Sequence, residues 1–330
     1  MSLRRICDQI SQTWPPKPKF TEKNISSLAG KVYVVSGANT GVGKEVARIL
    51  YSKNARVYVT ARSQEKGTQA IDDIKKATPS SNGTLALVLL DLADLIQVKA
   101  SAQQILEKEK EINVLFNNAG VMSISGDRTT VQGYEEQLGV NNVGTHLFTK
   151  LLTPALVKAA QTQAPGSVRI VWVSSSAAET PQSPKGGIPM QNLDYHQKAD
   201  NFTKYAISKA GVFYQTTEFA RRHQADGIAS LPVHPGLLNT ELFRNAPAVV
   251  EWLFKLLFTY PPVNGAYSEL FAGLSPEVTM ARSGSWVVPW GRFMDIRQDL
   301  DQGTRTKEEG GTGIAKQFWE WNDKQVQPYT

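Results

Sequence analysis

Short, almost uninterrupted apolar runs alternate with amphipathic stretches along most of the 330-residue chain. "KVYVVSG" (31–37) ends in glycine and leads into "GKEVARILYSKN" (43–54), whose apolar residues recur at helical spacing. "ARVYVTAR" (55–62) precedes the helical "SQEKGTQAIDDIKKA" (63–77), and "TLALVLLDL" (84–92) precedes "DLIQVKASAQQILEKEK" (94–110). The runs "INVLFNNAG", "SVRIVWVSSS" and "GIASLPVHPG" follow, separated by helical patterns around 133–160 and 203–225. A strand wetted on one face alternates polar and apolar residues; these runs do not, so both their faces are buried. The pattern predicts an α/β fold, a doubly wound parallel sheet in a single domain. No internal repeat is visible.

Three segments break the rhythm. Residues 1–28, ending in the proline-rich "WPPKPK" and its short sequel, read as an N-terminal arm outside a 29–330 domain. Residues 177–204 form a polar insert with prolines and glycines, and 237–283 form an apolar, aromatic region expected to be a substrate lid. Both follow strands, where an open α/β sheet keeps its ligand crevice. Within the second, "VVEWLFKLLF" (249–258) carries Glu251 and Lys255 at i,i+4. It reads as a lid or homodimer contact, with an interfacial, peripheral membrane helix as the rival; ten residues cannot span a bilayer.

Composition narrows the function classes. A net charge of +6 with 20% charged residues is ordinary, and no Lys/Arg stripe points to nucleic acid. Cys7 is the single cysteine, which excludes internal disulfides and cysteine metal clusters. His146, His196, His223 and His234 lack ligand spacing, so no metal is expected. The N-terminus has no apolar run of signal or membrane-spanning length, so the chain reads as cytoplasmic.

The candidate chemistry begins in "SGANTGVG" (36–43). Gly37, Gly41 and Gly43, between a strand and a helix, permit a tight turn and let backbone N–H groups approach a pyrophosphate. The spacing is G-x-x-x-G-x-G rather than G-x-G-x-x-G. After the second strand, "VTARSQEK" places Arg62 and Lys66 where an NAD site commonly has an acid for the ribose 2′-hydroxyl; the basic pair points to a 2′-phosphate and NADP(H). In "YAISK" (205–209), Tyr205 and Lys209 share one helix face, and the ammonium is expected to acidify the phenol.

"SGANTGVG", "NNAG" (117–120), "VSSS" (173–176) and "YAISK" occur in the order typical of short-chain dehydrogenases/reductases, and the chain resembles that family over about residues 30–245. "SGANTGVGKEVARIL", "VYVTAR", "LGVNNVGTHLFTKLL" and "VHPGLLNTEL" are most similar to its branch containing retinol dehydrogenases and WW-domain oxidoreductase. The resemblance implies a Rossmann-type fold and a role for each matching residue. Tyr205 is the proton donor or acceptor on the substrate oxygen; Lys209 and the positive nicotinamide of the oxidised cofactor lower its pKa, and Lys209 also holds the nicotinamide ribose. Ser175 orients the substrate, with Ser174 and Ser176 as adjacent alternatives. Asn141, or its neighbour Asn142, supports a water chain to the lysine. Gly37, Asn39, Thr40, Gly41, Val42 and Gly43 cradle the phosphates. Asp91 contacts the adenine, unless it is a helix N-cap, and Asn118, Ala119 and Gly120 lie by the adenine ribose. Pro235 and Gly236 bend under the nicotinamide, where Leu238 and Thr240 reach the carboxamide.

Together these imply an NADP(H)-dependent enzyme interconverting carbonyl and alcohol on a bulky hydrophobic substrate, of retinoid, steroid, polyketide or terpenoid type. Two other classes stay open: a cofactor-binding regulator without turnover, and a non-redox cyclase or eliminase built on the same pocket.

Overall fold

The computed structural model describes residues 3–123, 126–238 and 259–330. Eight strands form one sheet: β1 (Val32–Val35), β2 (Arg56–Ala61), β3 (Thr84–Leu89), β4 (Val114–Asn117), β5 (Arg169–Val173), β6 (Ala229–Val233), β7 (Val287–Val288) and β8 (Arg292–Phe293). Their order is β3-β2-β1-β4-β5-β6-β7-β8, parallel throughout except for the antiparallel β7–β8 pair. The chain winds outward from β1 to β3, then returns to place β4 on the other side of β1. That reversal opens a crevice at the carboxyl ends of β1 and β4.

Helices cover both faces, as the unbroken apolar strands require. These are α2 (Gly41–Ser52), α3 (Gln64–Ala77), α4 (Leu95–Lys108), α6 (Thr145–Ala160) and α7 (Asn201–Arg222). A short α5 (Glu136–Leu138) runs into α6 through the π-helical turn Gly139–Gly144. Val35, Val57, Phe116, Val171 and Leu231 face one core layer; Val34, Leu115, Ile170 and Trp172 face the other. The period-2 alternation of each strand thus feeds two cores at once.

Two regions differ from expectation. The N-terminal arm does not stand clear of the fold. After α1 (Leu3–Thr13), Phe20 and Ile25 are buried in the core, and Phe20 meets Phe271 edge-on at 6.1 Å. Arg292 Nη2 donates to Ser11 O at 2.8 Å, tying α1 to β8. Single apolar residues among prolines carry no period, so their burial was invisible until the distant partners were in place. In the expected lid region, α8 (Pro262–Leu274) is a sheet-covering helix packed against α2, with Leu270 and Phe271 in the core. Glu251, Lys255 and the rest of 239–258 lie outside the described residues. Beyond it, α9 (Gln298–Thr304) and α10 (Ile314–Val326) complete the molecule, and α10 lies across α7 and α6. No helix among the described residues is long and apolar enough to cross a membrane.

Candidate active site

The glycine turn is built by hydrogen bonds from three strands. Gly37 N donates to Thr60 Oγ1 at 3.1 Å and Ala38 N to Thr60 O at 2.9 Å, which hangs the turn on β2. Asn118 Nδ2 donates to Ser36 O (2.8 Å) and Gly37 O (3.1 Å), and Ala119 N donates to Ser36 Oγ (2.9 Å). Asn118 therefore clamps β4 to the turn, a structural task the sequence did not suggest. Ser36 and Thr60, also missed, are a small hydroxyl on each side of the turn; only their place at strand ends could have flagged them.

Gly37 and Gly41 have φ of +65° and +58°, the left-handed region that glycine tolerates. A β-carbon on Gly43 would collide with Asn118 Nδ2 and stand 2.6 Å from Gly37 O. Thr40 caps α2 in an extended conformation with no side-chain hydrogen bond, and Asn39 is half-buried beside it, with Val42 buried beneath. The first N–H groups of α2 thus open toward the crevice beside a free hydroxyl, a donor set suited to phosphate oxygens. A dinucleotide fits this cradle.

At the adenosine end, Arg62 and Lys66 are exposed at the start of α3, and Ser63 caps that helix. Neither basic group makes an ion pair among the described residues. Asp91 Oδ1 accepts from Ala93 N at 3.0 Å, whereas Asp94 is the N-cap of α4. The N-cap alternative for Asp91 is therefore set aside.

The serine run resolves by direction. Ser174 Oγ donates to Lys209 O at 2.7 Å and is buried, so it staples β5 to α7. Ser175 caps the 3₁₀ turn Ser176–Glu179 and hydrogen-bonds the Tyr205 hydroxyl. Of the two asparagines, Asn142 Nδ2 bonds Ser208 O (3.0 Å) and Gln215 Oε1 (3.1 Å) inside the helix pair. Asn141 faces the crevice, exchanging hydrogen bonds with Val121 N (2.8 Å) and Val121 O (2.9 Å). A β-carbon on Gly120 would stand 3.1 Å from both Asn141 Oδ1 and Lys209 Nζ, which places the amide and the ammonium around one point. The π-helical turn makes this placement possible, because the extra residue rotates Asn141 toward β4.

Tyr205 and Lys209 lie on one face of α7, with Lys209 Nζ 5.7 Å from the Tyr205 ring centre. The ammonium donates to Val173 O at 2.9 Å. Acidification of the phenol was expected from Lys209 and the oxidised nicotinamide together; in the protein alone burial pushes Tyr205 up to about 12, offset in part by the hydrogen bond from Ser175. Burial likewise pulls Lys209 down to about 8, against the pull of Glu269. Desolvation outweighs the Tyr–Lys attraction here because both groups have left water.

Around the hydroxyl the surface is apolar. Ala177 and Ala206 pack with Tyr205, Met122 joins them, and the Phe202 ring lies 6.4 Å away. On the far side, Gly236 has φ +100°, and a β-carbon there would stand 2.6 Å from the Trp290 ring. Trp290, unsuspected in the sequence, thus forms the wall behind the Pro235–Gly236 bend. Leu238 is buried with its side chain over Gly265 of α8. Thr240 lies outside the described residues.

The class defined by this fold and constellation is a dinucleotide-binding α/β protein with a Ser–Tyr–Lys cluster at the switch point. A family model described as short chain dehydrogenase matches residues 31–186. A short-chain dehydrogenase/reductase of Phomopsis amygdali is 50% identical over 99% of both chains. One of Neocamarosporium betae is 44% identical over 98% of this chain and 94% of its own. The chain belongs to the short-chain dehydrogenase/reductase family of oxidoreductases, whose members bind NAD(P). NADPH-bound carbonyl reductase from chicken fatty liver shares the fold, with a TM-score of 0.62 at 22% identity over 83% of this chain and 97% of that one.

Proposed function

We propose that the protein is an NADP(H)-dependent reductase that interconverts a carbonyl and an alcohol on a bulky hydrophobic molecule. The observation that carries the reading is the Ser175–Tyr205 hydrogen bond, made on the helix whose Lys209 meets Asn141 around Gly120. The bound nicotinamide supplies or accepts hydride at C4.

The chain's own residues do the rest. Burial keeps the proton on Tyr205 at neutral pH, so the phenol is poised to donate it to a carbonyl oxygen as the carbon takes hydride. Ser175 shares that oxygen and fixes its direction. Lys209, held by Val173 O, brings positive charge beneath the developing alkoxide. A donor held neutral favours reduction over oxidation. Arg62 and Lys66, exposed at the end of β2 without ion-pair partners among the described residues, support a 2′-phosphate and hence NADP(H). Met122, Ala177 and Phe202 around the hydroxyl favour an apolar substrate.

The test is NADPH consumption over a panel of hydrophobic ketones and aldehydes. Tyr205→Phe should lose turnover yet bind NADPH as before; turnover equal to the wild type would remove Tyr205 from the reaction. NADPH binding with no oxidation across the panel would favour a regulator. Product without cofactor consumption would favour a non-redox reaction.

A further inference from the structure

Glu269 is a carboxyl with zero exposure, and neither of its oxygens has a hydrogen-bond partner among the described residues. An isolated buried acid is costly, so its surroundings must hold a reason. It lies on the inner face of α8, one turn from Gly265 and one from Gly273. A β-carbon at Gly265 would strike Leu238 and approach Val42 and Pro235 O, the lining of the cofactor crevice; one at Gly273 would strike Phe116 of β4. Glu269 is therefore midway beneath the carboxyl ends of the central strands. Val171 and Val173 of β5 point to that side of the sheet, and Val173 O is the atom that holds Lys209 Nζ.

Among the described residues, the other ionisable groups on the packed elements are engaged or remote. Arg48 bonds Glu45, and Lys44 bonds Asp73. Arg169 spends its guanidinium on Gly166 O, Ala272 O and Val278 O. Tyr267, on the outer side of α8, bonds Glu22. Tyr33, His234 and Tyr205 are held neutral by burial. Lys209 is the group whose charge acts on Glu269 and on which Glu269 acts in return.

We propose that Glu269 is a positioning residue for the reaction, a buried, unpartnered carboxyl whose charge acts on the Lys209 ammonium across the sheet floor and sets how long that ammonium persists as pH rises. This rests on the role given to Lys209 above. Burial brings the two groups to the same range, Glu269 up to about 8 and Lys209 down to about 8, so they titrate as a pair. An ionised Glu269 keeps Lys209 protonated; without it the amine would lose its proton at lower pH.

The experiment follows the proton by ¹³C NMR of protein labelled at lysine Cε and glutamate Cδ. The Lys209 signal is assigned by its loss in Lys209→Met, and the Glu269 signal by its loss in Glu269→Gln or Glu269→Asp. In Glu269→Gln the Lys209 midpoint should fall by about one pH unit, tenfold in proton affinity. In Lys209→Met the Glu269 midpoint should rise by a similar amount, since linkage is reciprocal. If Glu269→Gln fails to fold, the Lys209→Met arm decides. A Lys209 midpoint unmoved by Glu269→Gln, or a Glu269 midpoint unmoved by Lys209→Met, overturns the proposal. The titration needs no turnover, so it answers separately from the reductase reading.

Discussion

Ser174 donates its hydroxyl to the main-chain oxygen of Lys209 at 2.7 Å, while the next residue, Ser175, bonds the hydroxyl of Tyr205. Adjacent serines therefore hold the backbone of one catalytic candidate and the side chain of the other. Ser174→Ala should cost stability, about 1 kcal/mol for a buried side-chain hydrogen bond. Ser175→Ala, at a half-buried position, should leave the urea midpoint nearly unchanged and lower kcat. Equal loss of kcat with equal loss of stability in both variants would dissolve the distinction.

The cofactor preference is tested at Arg62, which makes no ion pair among the described residues and stands exposed where a 2′-phosphate would arrive. A charge-assisted hydrogen bond is worth about 1.5–3 kcal/mol, so Arg62→Ala should weaken NADPH roughly ten- to hundredfold. NADH, lacking the phosphate, should change little. Equal losses for both dinucleotides, measured by fluorescence titration, would discredit the assignment.

The strands and most helices were legible because burial on both faces leaves an unbroken apolar run, and helix faces leave a 3.6-residue period. Tyr205, Lys209, Asn141 and the glycines were legible as spaced motifs. Asn118 clamping Ser36 and Gly37, Trp290 behind Gly236, and Glu269 beneath the sheet were not. Each acts through a partner more than fifty residues away, and nothing local marks it. The upward push of burial on Tyr205 was not legible for a related reason: spacing shows the neighbouring cation, whereas desolvation depends on everything packed around the pair.

Gly43 offers a steric test. Alanine is the better helix former by about 1 kcal/mol, so Gly43→Ala should stabilise α2 if propensity alone mattered. Its methyl would instead displace Asn118 and crowd Gly37 O. The clamp between β4 and the turn would open, at about 1–3 kcal/mol for overpacking. The expected result is a lower urea midpoint together with weaker NADPH binding. A stabilised variant with intact binding would show that the turn tolerates a β-carbon.

Glu269 should also leave a mark on stability. Its pKa is raised from 4.5 in the unfolded chain to about 8 in the fold, so the fold retains a proton that the unfolded chain has lost. Stability from this group is complete below pH 4.5 and declines as pH rises toward 8. Lys209 runs the other way: its pKa is depressed from 10.5 to about 8, so its cost is relieved as pH rises through that window. Glu269→Gln removes the first contribution and, by letting the Lys209 midpoint fall, extends the second to lower pH, so both changes act in the same direction. Between pH 5 and 8 the melting temperature of the variant should therefore gain on the wild type, whatever constant offset the amide introduces. Parallel melting curves across that range would refute the shift.

The C-terminal helix braces the same region from outside. Phe318 of α10 is fully buried, lies stacked with Trp321 at 5.9 Å, and fills the space over Gly211, where a β-carbon would stand 2.8 Å from its ring. Gly211 is two residues beyond Lys209 on α7, and Trp319 meets the buried His146 of α6 at 4.5 Å. Phe318→Ala would open a cavity between α10 and α7, with a cost of about 3–5 kcal/mol if the helices relax little. The urea midpoint should fall accordingly. Because Lys209 is placed by α7 through the Ser174 bond and Val173 O, the variant should also lose kcat at temperatures where it remains folded. A loss below about 0.5 kcal/mol, within the range of an ordinary surface substitution, would mean that α10 covers α7 without holding it.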